Sequence, residues 1–80
     1  MNTYRIIENI CIYERKNIIS YGIAVFSNKD TQNPILVIED ITTDRKALDE
    51  FVKKCNDLEL SILHIHDVIE DFISESYWYL

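Results

Sequence analysis

The residue types best suited to chemistry stand in one short run near the C-terminal end: His64, Asp67, Glu70, Asp71 and Glu75. On a helix, His64, Asp67 and Asp71 recur at i, i+3 and i+7 and share a face, with Glu70 to one side. One imidazole and two carboxylates within two turns are ligand types a divalent metal accepts, so a metal or small-ligand sensor is one reading of this face. A single helix supplies too few ligands to close a site, and strong sites draw ligands from several elements. Without a metal the same residues make a solvated acidic surface, suited to a basic protein partner. That is the expectation, with no metal and no cofactor. His66 falls at the border of the apolar stripe, beside Ile73, where packing of its ring is expected.

Nucleophilic chemistry has little to build on. Cys11 lies in a strand pattern and Cys55 in a helix-core pattern, where a thiol behaves as a small buried hydrophobe. No spacing sets a base and an orienting group beside either thiol, and no Gly-rich phosphate loop is present. The chain is therefore expected not to be an enzyme.

Charge narrows the partners further. Residues 1–54 carry eight basic and eight acidic side chains, whereas residues 55–80 carry six acidic and no Lys or Arg, so the net charge of −6 sits wholly in the last third. Nucleic-acid backbone binding requires clustered Lys and Arg, which argues against nucleic acid as a direct ligand. An acidic inhibitor that imitates nucleic-acid phosphates, occupying a basic groove on its target, is an alternative of another class. No apolar run approaches the eighteen or so residues of a membrane span. The opening MNTYRIIENICIY has no basic region ahead of a continuous apolar core, so no signal peptide and no membrane contact are expected, and the setting is cytoplasmic. The two cysteines are then reduced, and their spacing suits neither a CxxC motif nor a zinc ribbon.

The elements that must position these residues are legible from periodicity. Ala47, Leu48, Phe51, Val52 and Cys55 mark one face of a helix over about 43–55, with Thr43 or Thr42 as N-cap and Asn56 as a left-handed stop. Ile62, Ile65, Val68, Ile69, Phe72 and Ile73 mark a second over about 62–75, with Ser61 as N-cap and Leu60 with Ile65 as a hydrophobic staple. Ahead of them, alternation predicts strands over about 4–13 and 18–26, joined by the polar turn Glu14–Asn17. Glu8 breaks the first strand's apolar face, which suits a bulge or an edge position. Gly22 inside the second strand marks a bulge or a covering aromatic ring. After the turn-rich loop 27–34, a near-continuous apolar run over about 35–41 reads as a third strand, buried on both faces or central. Eighty residues at 48% apolar, with one Gly and one Pro, make one domain over 1–80. The order βββαα implies an α+β two-layer fold, a three-stranded antiparallel sheet with both helices on one face.

Within that fold, Tyr4, Ile6, Ile10, Ile12, Ile19, Tyr21, Ile23 and Val25 are expected to pack on the helices. Ile7, Cys11, Tyr13, Ile18, Ala24 and Phe26 remain on the far face, more apolar surface than a two-layer domain leaves bare. Either the aromatic tail over 76–80, with Tyr77, Trp78 and Tyr79, folds back over that face, or a second subunit does.

Three segments resemble a known family: SYGIAVF in the second strand, EDITTDRKALDEFVKKCNDLELS through the first helix, and ILHIHDVIEDFI in the second. The chain is similar, from about Tyr4 to Ile73, to a domain-of-unknown-function family of small bacterial proteins with a Tyr-Gly strand and a His-x-x-Asp-Val-x-Glu-Asp-Phe ending. His64 to Phe72 carries that ending, and the aromatic tail departs from the pattern. The resemblance implies the fold and the cytoplasmic setting and no activity. The expected function is a small non-enzymatic protein-binding module. Its contact surfaces would be the acidic face (His64, Asp67, Glu70, Asp71, Glu75), the tail (Tyr77, Trp78, Tyr79) and the far sheet face (Ile7, Cys11, Tyr13, Ile18, Phe26), the last also suited to a homodimer.

Overall fold

The structure, a computed structural model, describes residues 2–78, with side chains as far as Glu75. It is a three-stranded antiparallel sheet of β1 (Asn2–Tyr13), β2 (Lys16–Ser27) and β3 (Leu36–Thr42), followed by α1 (Arg45–Asp57), a 3-10 turn (Ile62–His64) and α2 (Ile65–Trp78). The expected βββαα arrangement is therefore the observed one.

Strand order is β1-β2-β3, so β2 is central and β3 is an edge. The expectation that β3 is buried on both faces fails, because only Leu36, Ile38 and Ile41 of its apolar residues reach the core while Val37 is exposed. An apolar run reports local composition; here Ile35 and Val37 of the run face outward at a sheet edge. Glu8 is explained by the edge position of β1, which runs without a bulge against β2 from Asn2↔Ser27 to Tyr13↔Lys16.

The hairpin closes on a two-residue turn, Glu14-Arg15, with φ of 49° and 65°. Positive φ at both central positions defines a type I′ turn, whose twist matches that of the strands it joins. Only these two residues separate the strands, which are longer than alternation predicts. Between β2 and β3 the register jumps from Ile23↔Ile38 to Tyr21↔Thr42. Glu39, Asp40 and Ile41 all oppose Gly22, and Asp40 takes a φ of 54° to make the bulge. A Cβ on Gly22 would stand 2.2 Å from the Ile38 carbonyl oxygen, so only glycine lets the bulge fold down on β2.

The core joins Tyr4, Ile23 and Val25 of the sheet to Leu48, Val52 and Cys55 of α1 and Ile65 and Ile69 of α2. The helices meet at Phe51 and Phe72, with ring centroids 4.9 Å apart. Caps differ from expectation at the first helix. Asp44, not Thr43, is the N-cap and accepts from the Ala47 N–H at 3.0 Å, while Thr42 Oγ1 accepts from the Asp44 N–H. A carboxylate at the N-cap also meets the positive end of the helix dipole, which favours Asp over Thr. The helix continues past Asn56, and the left-handed residue is Glu59 (φ 51°). Ser61 does cap the second helical segment, accepting from the Leu63 N–H.

Candidate interaction surfaces

Length decides which side chains are left in water. Twelve residues per strand at about 3.4 Å each make a hairpin of about 40 Å, which is the 41 Å long axis of the molecule. The thirteen residues of α1 span only about 20 Å. At one end, Asn56 stands beside Tyr4; at the other, Arg45 stands over Glu8. The helix layer therefore covers the sheet from Tyr4 to Glu8 and stops.

Arg45 marks the boundary. Its guanidinium pairs with Glu8 Oε1 at 3.0 Å and Asp49 Oδ2 at 3.6 Å, and lies 5.7 Å from the Tyr21 ring centroid. Beyond it the inner face of the hairpin is bare. Ile10 is 73% exposed, Ile12 78% and Ile19 50%, which overturns the expectation that these three pack on the helices. Their alternation placed them on the correct face, but no helix reaches that far. A count of strand against helix residues was the signal that could have found them.

The far face is less bare than expected. Ser20 and Ala24 are buried there, and Ile7, Cys11 and Phe26 are partly buried. The Arg5 guanidinium lies 4.7 Å from the Phe26 ring centroid, and Cys11 Sγ lies 3.6 Å from Ser20 Oγ. Tyr13 and Ile18 are exposed, so the open apolar surface gathers at the hairpin end, on both faces. Two further leucines, Leu58 and Leu63, are exposed where the helices are linked.

At the covered end, α1 seals the sheet edge. Tyr4 N–H donates to Asn56 Oδ1 at 2.8 Å, and Asn56 Nδ2 donates to the Tyr4 carbonyl at 2.9 Å. The carboxamide thus serves both backbone groups of an edge residue, as a neighbouring strand would. The Tyr4 hydroxyl donates to the Leu60 carbonyl, tying β1 to the link between the helices. Burial, with the nearby Cys55 thiol second, pushes the Tyr4 phenol above its usual range. Burial pushes the Cys55 thiol up to about 11, so this sulfur stays protonated and inert at neutral pH.

The acidic residues stay in solvent. His64 belongs to the 3-10 turn, not to the helix that carries Asp67, Glu70, Asp71 and Glu75, and all five are exposed. His66 is exposed as well, not packed at the border of the apolar stripe. Among the described residues, no group of three or more His, Cys, Asp or Glu is placed to hold a metal ion. Tyr77 and Trp78 end α2, and their side chains, with Tyr79 and Leu80, lie outside the described residues. Among those residues, no helix is long and apolar enough to cross a membrane.

The fold and its surfaces define a small α+β domain whose open features are a projecting apolar hairpin and an acidic helix face. The chain belongs to a family of unknown function (DUF6514), whose model matches residues 1–75. No curated protein and no solved structure matches it.

Proposed function

We propose that this chain is a small cytoplasmic, non-enzymatic module that acts by binding protein. The observation that carries the reading is the hairpin end, where Ile10, Ile12, Tyr13 and Ile19 are each at least half exposed on an 80-residue domain. Apolar side chains gathered in solvent on both faces of one end of a small domain mark a contact surface. The buried, protonated Cys55 supports a packing role for that thiol over a nucleophilic one. The acidic face of α2, with Asp67, Glu70, Asp71 and Glu75 in solvent, is the second contact surface and meets a basic region of the partner.

Capture from extract of the native host tests the reading, with folded Ile10→Ser/Ile12→Ser and Asp67→Asn/Glu70→Gln/Asp71→Asn variants beside the native chain. We expect a partner held by the native chain and lost with the isoleucines, and weaker capture at raised salt or with the neutralised helix. Equal capture by all three proteins would reject both surfaces.

A further inference from the structure

The outer edge of β1 is open where α1 does not seal it. The parity of its backbone follows from the fold. The Glu14-Arg15 turn makes Tyr13↔Lys16 a hydrogen-bonded pair, and every second pair down the ladder is hydrogen-bonded in turn. Tyr4, Ile6, Glu8, Ile10 and Ile12 therefore direct their N–H and C=O groups away from β2. The Asn56 contacts at Tyr4 agree with this, as does the Val25 carbonyl opposite it, which turns away to accept from the Ile35 N–H at 2.8 Å. Asn56 serves Tyr4 alone. From Ile6 to Ile12 the outward groups have no partner among the described residues. The side chains on this edge include Ile6, Ile7, Ile10, Cys11 and Ile12, with no lysine, proline or bulge to discourage pairing.

We propose that β1 of one chain pairs antiparallel with β1 of a second copy, about a two-fold axis at Asn9, joining two sheets into one of six strands. The proposal rests on the protein-binding reading above and names a second copy of this chain as the occupant of the hairpin end. Asn9 is the midpoint of the open run 6–12, so this register uses all of it. Ile6 then faces Ile12 of the partner copy, and Ile7 faces Cys11, apolar against apolar. Glu8 faces Ile10 and keeps its own Arg45. At the axis the two Asn9 side chains meet in a non-hydrogen-bonded pair, where side chains approach closest. Asn9 Oδ1 is a buried oxygen without a hydrogen-bond partner, and the facing carboxamide supplies a donor.

The helices fit the same arrangement. A two-fold axis normal to the sheet keeps both helix layers on one side. Each α1 covers residues 4–8 of its own strand, and these lie beside residues 10–14 of the other. The partner's α1 is thereby brought alongside Ile10 and Ile12, which its own helix leaves bare. A second copy supplies what the open edge and the open face each lack.

Native mass spectrometry and light scattering of the full chain, at about 10 to 500 µM, test this. A dimer is expected. Ile12→Lys changes a side chain that is 78% exposed in the single chain, and Ile10→Pro removes an N–H that the single chain does not use. Both should stay folded by circular dichroism and become monomeric. Asn9→Cys in a Cys11→Ser background reads the register, because facing residues of a non-hydrogen-bonded pair are close enough for a disulfide. It should give a covalent dimer under mild oxidation, and Glu8→Cys in the same background should not. A native chain that stays monomeric to 500 µM, or a dimer that survives both edge variants, overturns the proposal. A monomer that still loses a host protein on Ile10→Ser/Ile12→Ser overturns self-pairing alone. A monomer that captures nothing overturns the protein-binding reading as well.

Discussion

Gly22 and the Tyr4 corner show how much of this small domain hangs on single residues. At Gly22 the obstacle to any side chain is backbone, the Ile38 carbonyl and the Glu39 Cα, which cannot rotate aside. Gly22→Ala should therefore cost at least about 3 kcal/mol, at or beyond the upper end of ordinary overpacking, read as a fall in the denaturation midpoint. At the other end, Tyr4 and Cys55 hold their protons more tightly when folded. An acid with a raised folded pKa contributes stability that is complete below its unfolded value and lost as pH rises through the folded one. For Cys55 that window runs from 9.0 to about 11. The urea midpoint should hold level to about pH 8 and fall above 9, and Cys55→Ala should flatten part of that alkaline decline, the rest belonging to Tyr4. An equal decline in both proteins would remove Cys55 from the explanation.

At the scale of elements, the hairpin is the feature that sets the others. Its turn places Glu14 and Arg15 at positive φ, a conformation that costs a non-glycine residue about 1 kcal/mol or more. Glu14→Asn with Arg15→Gly, the pair that type I′ geometry favours, should raise stability by about 1–2 kcal/mol without altering the register. An unchanged or lower melting temperature would mean that neither residue is strained. The turn was legible in the sequence as a polar run of hairpin length, but its two-residue form was not, because neither Asn nor Gly announces it. The 3-10 turn at Ile62–His64 was hidden for a similar reason. Ser61 signals where helical structure begins, not which helical form follows, and His64 thereby left the helix it was expected to share with Asp67 and Asp71.

Across the whole molecule, a layer of helices about 20 Å long lies on a hairpin twice that length. One half is a closed two-layer core, in which Ile23, Leu48 and Ile65 are wholly buried. The other half is an extended ribbon with isoleucines on both faces and an open edge. Such a ribbon is marginal in water alone and gains from a neighbour. A partner seated on the ribbon should raise the melting temperature with concentration, as binding to the folded state alone requires. A melting temperature independent of concentration from 10 to 500 µM would argue against self-association at this surface.

Period and punctuation alone were enough for the number and order of the strands and α-helices and for the apolar faces of α1 and α2, and they marked Glu8 and Gly22 as irregular positions, each with two readings between which the structure decided. These are local matters, settled by side-chain alternation and by what glycine permits. Periodicity says which face a residue occupies and nothing of what lies opposite, so it treated Ile10 and Ile12 like Tyr4 and Ile6. The rank of β3 at an edge, the reach of α1, the use of Asn56 to seal Tyr4 and the exposure of the hairpin end follow from distances between segments far apart in the chain. Those distances exist only once the layers have packed.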